Sequence, residues 1–466
     1  MTEVLIAGAG PTGLLAAAEL ALAGVEVEVL ERADAPTLPR PVGLQPRTAE
    51  LLDLRGLLPD SGEISGPSGH FAGLPVPLDH APWNTRHPRV VNRIQTEVEG
   101  FLETRAAESG AKIRRGYEVS DVEQDDDGVT VVASGETFRA RYLVACDGAH
   151  STVRARLGLP FPGRTETYVA TQAHVRLASA SELVPPRMTH FSQVTRQANG
   201  YWAMLVPLGD GSHRFVFGSA TTQPERDAPV SDGEVTEALT ALYGDETRLG
   251  EVYAASRFND ATRQLEKYRH GRVLFAGDAA HIHPPLGGQG LNLGVQDAMN
   301  LGWKLAATVR GTAPDGLLDS YHDERHPIAD RVLRHTAAQR VFTAPNRTEN
   351  VEALREIVVD LMRLPDGNRY FSGLISGLDI EYPGATRIPD LDLVTETGPT
   401  RLSTLLHDGR GLLLDLGDHP DPGGPVRFVR AAGRGEYSGR LLLVRPDGYG
   451  TDTDIEAALA RWFKDS

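Results

Sequence analysis

The sequence predicts an α/β protein in which a parallel sheet is interrupted by a β-rich insert and followed by a small further α/β unit. Three observations predict it. The chain opens strand, glycine turn, helix, strand; residues from about 166 to 268 show strand-like alternation; and helical character returns after "YRHGRVLFAGD". At 466 residues the chain exceeds what one hydrophobic core supports, so two or three domains are expected.

The elements follow in order. "EVLIAGAGPTGLLAAAELALAGVEVEVLER" gives a strand at Val4 to Ala7, a helix from Pro11 to about Ala23 and a strand at Val25 to Leu30, a βαβ opening. From Pro67 to Arg89 the chain is rich in Pro, Gly and His, and leaves the first domain. A helix over about Gln95 to Ser109 leads into "KIRRGYEVSDVEQDDDGVTVVASGETFRARYLVACDG", read as antiparallel strands with turns at Asp127-Gly128 and Ser134-Gly135. "LNLGVQDAMNLGWKLAATVRG" is a long helix, and residues 384–466 form a small α/β unit. The expected limits are 1–70, 95–165 and 269–380 for a discontinuous cofactor domain, with 71–94 and 166–268 for a substrate domain.

Composition excludes several functions. The 47 Lys plus Arg against 63 Asp plus Glu leave a net charge of -16, which repels a nucleic acid backbone and an anionic membrane alike. No run of 18 apolar residues exists and no basic leader precedes an apolar run, so the cytoplasm is the expected compartment. Cys146 is the single cysteine, which allows neither an internal disulfide nor a cysteine-cluster metal site.

Gly8, Gly10 and Gly13 form G-x-G-x-x-G between a strand and a helix. The first glycine permits the turn, the second lets a pyrophosphate approach the backbone, and the third allows close helix–strand packing. Pro11 fits the first helical turn, where its missing N–H costs nothing. Glu31, 18 residues past Gly13, stands where a carboxylate accepts both hydroxyls of an adenosine ribose. This suits FAD or NAD better than NADP. No second fingerprint occurs, so a nicotinamide cofactor has no domain of its own.

Two further motifs separate FAD from NAD. In "YLVACDGAHSTVRARLGL" a strand ends at Asp147-Gly148 before a helix carrying Arg154 and Arg156; a capped turn is the alternative reading. In "GRVLFAGDAAHIHPPLGGQGLNLGVQDAMNLGWKLA" Asp278 ends a strand, and glycines run into a helix starting near Gly290 or Leu291. With these three motifs in this order, the chain resembles the class A flavoprotein monooxygenases, single-component FAD-dependent aromatic hydroxylases. "GHFAGLPV" and "LLDSYHDERHP" bring it nearer to angucycline- and tetracycline-type polyketide hydroxylases and to rifamycin monooxygenases.

The resemblance implies a fold of the p-hydroxybenzoate hydroxylase type with a Rossmann-like FAD domain, an inserted substrate sheet and a thioredoxin-like C-terminal domain. This copy of the last has no cysteine, hence no redox dithiol. It implies that Asp278 holds the ribityl chain, that backbone N–H groups of Gly290, Leu291 and Asn292 face the flavin pyrimidine edge, and that Arg40 and Gln95 contact the cofactor. Asp147 and Gly148 would serve FAD and visiting NAD(P)H, and the Pro285 carbonyl would face an aromatic substrate. Thr12, Arg32, Gly288 and Pro285 complete the cofactor set; Gly287 joins Pro285 on the substrate side. The reaction implied is NADPH- or NADH- and O2-dependent hydroxylation of a multiring aromatic, with Baeyer–Villiger oxygenation or inactivation of a rifamycin or tetracycline as alternatives, by a monomer or homodimer. No residue reads as a general base.

Trp202, Met204, Phe217, His190 and Phe191 read equally as pocket lining or core. His281 and His283 share one face of an extended segment, but no third ligand follows at metal spacing. "HDERH", His322 to His326, lacks the Glu of a zinc-protease helix and is expected to be a solvated helix end stopped by Pro327.

Overall fold

The computed structural model describes residues 2–35, 41–58, 69–187, 190–208, 210–221, 223–344, 347–433 and 435–464. Its central sheet is parallel over five strands in the order Lys112–Arg115, Val27–Glu31, Thr2–Ala7, Glu136–Ala145, Val273–Phe275. The Thr2–Ala7 strand is buried on both faces, which is why it reads as the continuous apolar run VLIA. Helices α1 (Pro11–Leu22), α2 (Pro46–Asp53) and α3 (Gln95–Glu108) surround it with the helices that follow. The antiparallel reading of residues 112–145 is half right. Val119–Gln124 and Val129–Ala133 pair as a hairpin, but Lys112–Arg115 and the second half of Glu136–Ala145 run parallel within the central sheet. Ser134 (φ 47) and Gly135 (φ 83) make the expected tight turn.

After the short helix α4 (Thr152–Arg156), an antiparallel five-stranded sheet runs in the order Thr195–Ala198, Tyr201–Pro207, Ser212–Ser219, Val169–Ser179, Arg248–Asn259. One face is covered by α5 (Asp232–Tyr243), with Ala203, Leu205, Phe215, Phe217, Leu239 and Leu242 as its core. A small sheet of Gly163–Arg164, Thr262–Gln264 and His281–Ile282 joins the root of this insert to the loop after Asp278.

Helices α6 (Gln289–Arg310), α7 (Ser320–Thr343), α8 (Glu349–Arg363) and α9 (Pro365–Ser376) follow. Pro327 does not stop α7. The carbonyl it deprives of a donor is that of Asp323, and both Asp323 and Pro327 lie on the exposed side of the helix, open to solvent. Residues from Thr386 onward build a seven-stranded mixed sheet, closed by α10 (Leu402–Leu405) and α11 (Ile455–Trp462). Among the described residues no helix is long and apolar enough to cross a membrane.

The C-terminal sheet is tied to the rest by buried charge. Glu324 of α7 receives both guanidinium ends of Arg445 at 2.8 Å, Lys304 of α6 at 2.8 Å and Asn300 at 2.6 Å. Asp447 pairs with Arg445, so two anions balance two cations. These partners hold the Glu324 carboxyl down at about 2, while burial pulls Lys304 to about 8. Arg55, gripped by Glu19 of α1, donates to the carbonyls of Leu406 and Pro446. "HDERH" is thus no solvated end, because its Glu324 and Arg325 are buried ion-pair members.

Candidate functional site

Strand register brings the three motifs together. Ala7 lies beside Leu30 on one side and Ala145 on the other, and Ala145 lies beside Phe275. Gly8, Glu31, Asp147 and Asp278 therefore emerge at the carboxyl edge of four adjacent parallel strands, the ligand edge of open α/β sheets. Sequence separations of more than a hundred residues collapse to neighbouring strands.

Gly8 has φ +100, and a methyl there would run into the carbonyl oxygen of Cys146. A methyl on Gly13 would strike the Gly8 carbonyl, whereas one on Gly10 would meet nothing within 4 Å. The turn is thus closed at its first and third glycines and open at its second. Helix α1 starts there with Pro11 in its first turn and no side-chain cap, leaving its amide dipoles aimed into that opening. Glu31 accepts from Ala9 N at 2.7 Å and Ala33 N at 2.8 Å, which fixes its carboxylate beside the turn. Thr12 points elsewhere. Its hydroxyl sits 2.8 Å from where a methyl on Gly277 would be and against Gly294 of α6, so it locks α1, α6 and the Asp278 turn together. Arg32 is exposed, and Arg40 lies outside the described residues.

Asp147 accepts from Val153 N at 3.0 Å, so the capping reading is partly met, although Ser151 is the cap proper of α4. Its other oxygen, Oδ1, is buried without a partner, and burial raises the carboxyl's pKa. Gly148 adopts φ +81 with open space around it. Arg154 donates to the carbonyls of Ala279 and Ala149 and lies over Phe161, linking two of the motifs; Arg156 is exposed. Cys146 is held as a thiol by burial.

Asp278 is exposed at the mouth of the edge, 3.9 Å from where a methyl on Gly290 would sit. Helix α6 begins at Gln289, one residue earlier than expected, after a left-handed Gly288 and without a side-chain cap. Gly290 and Leu291 lie in its first turn. The Asn292 side chain is committed elsewhere, donating to the carbonyls of Gly43 and Gly288 and accepting from Gln45 N. Only its backbone is left for a ligand. Gln95, held by Glu99 at 2.7 Å, follows the Val91–Ile94 strand, which pairs with Pro41–Leu44 beside α6. The turn itself is braced by Asp297, fully buried, which accepts from Gly277 N, His281 Nε2 and Arg325 Nε. His281 is accordingly a structural partner, and sequence reading missed Asp297 and Arg325 because nothing local marks them.

On the insert, Trp202 and Met204 alternate away from α5, on the opposite face from Ala203 and Leu205. Phe217 does not join them. It pairs with Ala203 and is buried against α5, so the pocket expectation for Phe217 is corrected to core. The Trp202 face also carries Arg214, which donates to Gln172 at 3.0 Å, itself donating to Ser256. Trp202 contacts the hydroxyl of Tyr168, next to Thr167, which receives Arg340 of α7; the face thereby looks toward α7. Pro285 is exposed and Gly287 buried in the loop before α6. His190 caps the short turn Phe191–Gln193, and Phe191 stacks on His70 at 3.8 Å.

Residues 1–336 match the family model described as FAD binding domain, and residues 381–465 match that described as aromatic-ring hydroxylase, C-terminal. The chain belongs to the FAD-dependent aromatic-ring hydroxylases. It is similar to the solved anhydrotetracycline hydroxylase of Streptomyces rimosus, at 43% identity and TM-score 0.88 over 99% of both chains. A rifampicin monooxygenase of Streptomyces venezuelae is 42% identical over 96% of this chain and 95% of its own. A dialkyldecalin synthase of Streptomyces rugosporus is 38% identical over 99% and 98%. This hydroxylase is thus a monooxygenase with FAD as cofactor and NAD(P)H and O2 as co-substrates. Its residues fit FAD: an uncapped helix N-terminus faces the open second glycine, the Glu31 carboxylate is fixed by two amides beside that turn, and a second uncapped helix lies across the sheet edge at Asp278.

Proposed function

We propose that this enzyme hydroxylates a multiring aromatic polyketide or a related antibiotic, with residues 71–94 and 166–268 supplying the substrate side. The observation that carries it is the pairing of a backbone-built FAD edge with an open sheet face that joins Trp202 and Met204 to the polar row Arg214, Gln172 and Ser256. That face is apolar enough for fused rings and has donors for their oxygen substituents. Relatives named for anhydrotetracycline and rifampicin support the class.

In this reading Gly10, Pro11 and the first turn of α1 hold the pyrophosphate, Glu31 holds the ribose, and Gln95 and Asp278 hold the ribityl side. FAD supplies the hydride acceptance and oxygen activation. The chain supplies binding, orientation and a positive helix terminus, at Gly290 to Asn292, beside the edge where negative charge accumulates on reduction. Asp147 and Gly148 line the approach for NAD(P)H, while Pro285 and Gly287 border the aromatic ring.

The test is NADPH and NADH oxidation by the holoenzyme with tetracyclic, angucyclic and ansamycin aromatics, coupled to product analysis under labelled dioxygen. Label in a ring hydroxyl is expected. Label in a lactone would favour Baeyer–Villiger chemistry, and failure of every aromatic to accelerate nicotinamide oxidation would overturn the substrate class.

A further inference from the structure

The loop before α6 and the inner face of α7 carry two histidines whose hydrogen bonds define opposite tautomers. His283 Nδ1 lies 2.8 Å from the Pro284 carbonyl. A carbonyl only accepts, so Nδ1 carries the proton and Nε2 presents a lone pair. On α7, the Gln339 side chain accepts from Ala72 N at 2.9 Å through Oε1, which fixes its amide, and its Nε2 then donates to His335 Nδ1 at 3.1 Å. Here Nδ1 accepts, and Nε2 carries the proton. Both Nε2 atoms are buried and neither has a partner. One is a bare acceptor and the other a bare donor, and buried polar groups of this kind are rarely left so.

They belong to one neighbourhood. Gln339, one turn past His335, packs against Gly287 of the same loop as His283. Ala72, held by Gln339, adjoins Gly73, which packs on Phe191 and Thr195, and Thr195 pairs across the sheet with Met204. His335, through Gln339, thus belongs to the contacts that join the loop carrying His283 and Gly287 to the strand beside the open sheet face.

We propose that His283 and His335 together bind one hydroxyl group of the aromatic substrate, its O–H donating to His283 Nε2 and its oxygen accepting from His335 Nε2–H. The assignment rests on the aromatic-substrate reading above. The pair orients the hydroxyl and does not ionise it: burial holds His283 at about 4 and His335 at about 3, far below a phenol's ordinary value of about 10. A fixed water offers the same donor and acceptor, and the experiment separates the two.

The probes are 1,8-dihydroxyanthraquinone and its dimethyl ether, with binding read from the flavin absorbance of the holoenzyme. The wild type is expected to bind the phenol at least about tenfold tighter, because a site built for a hydroxyl rejects its capped analogue. His283→Leu and His335→Leu, each retaining flavin, should cut that preference below about threefold, and His283→Gln should restore part of it by returning an acceptor. Equal binding of both probes by the wild type overturns the assignment without any variant. So does a preference unchanged in both Leu variants, the result a fixed water gives. If no aromatic binds at all, the substrate reading fails first and the assignment with it; binding without discrimination defeats the assignment alone.

Discussion

The two walls of the proposed site are made of different material. The FAD edge is backbone: Gly8 and Gly13, which admit no methyl, two uncapped helix starts and carboxylates fixed by amides. The sheet opposite is side chain, with one face given to α5 and the other to Trp202, Met204 and Arg214. A backbone wall is set by local rules and tolerates almost no change, whereas a side-chain wall can be rewritten residue by residue while its strands stay paired.

The sharpest way to break that contrast is Gly8→Ala. The methyl meets the Cys146 carbonyl at a φ of +100, so purified protein should carry little or no flavin, read as flavin absorbance per polypeptide. A Gly8→Ala enzyme with full flavin would show that the edge is not backbone-limited. Next comes the brace behind it. Glu324→Gln leaves Lys304 and Arg445 buried with half their balancing charge, and should cost about 3–5 kcal/mol, read as a lower midpoint of thermal or denaturant unfolding. A variant as stable as the wild type would make the C-terminal sheet an appendage to α6 and α7 instead of a support for them.

On the other wall, Phe217→Ala and Trp202→Ala should part company. Phe217 is buried with Phe215 and Leu239, so its truncation should cost about 3 kcal/mol or more with KM little changed among the molecules that stay folded. Trp202 faces the open side, so its loss should raise KM severalfold and leave stability within about 1 kcal/mol. The reverse pattern would exchange the two faces.

The same contrast explains what is legible in the sequence. Gly8, Gly10, Gly13, Glu31, Asp147 and Asp278 stand out because each motif obeys a local constraint that a short window displays, and parallel register then places them on one edge. Phe217 is misread because alternation separates two faces but does not say which one a helix covers; α5 decides it from about twenty residues downstream. Asp297, Arg325 and the Glu324 cluster give no signal at all, since their partners are distant in sequence, Arg445 lying 121 residues from Glu324, and "HDERH" looks polar. Reading Pro327 as a stop fails for a related reason: Pro327 and Asp323, whose carbonyl it deprives of a donor, lie on the exposed side of the helix.

Acid separates the site from its brace by pH. His335 is 6% exposed and held at about 3, far below the 6.5 of an unfolded histidine. The unfolded chain therefore binds the extra proton first, so this ring's stabilising preference is whole above about 6.5 and is lost as pH falls toward about 3, at up to about 1.4 kcal/mol per unit. Glu324, held at about 2, obeys the same sign in a lower window: its contribution is present above 4.5 and is lost only below that. Unfolding midpoints measured from pH 7 to 5 should decline in the wild type and decline less in His335→Gln, while Glu324→Gln should be destabilised by a similar amount across that window. Equal slopes in wild type and His335→Gln would show that the ring beside Gln339 takes up its proton without leaving the fold, and that the loop at Gly287 is wetter than its burial indicates.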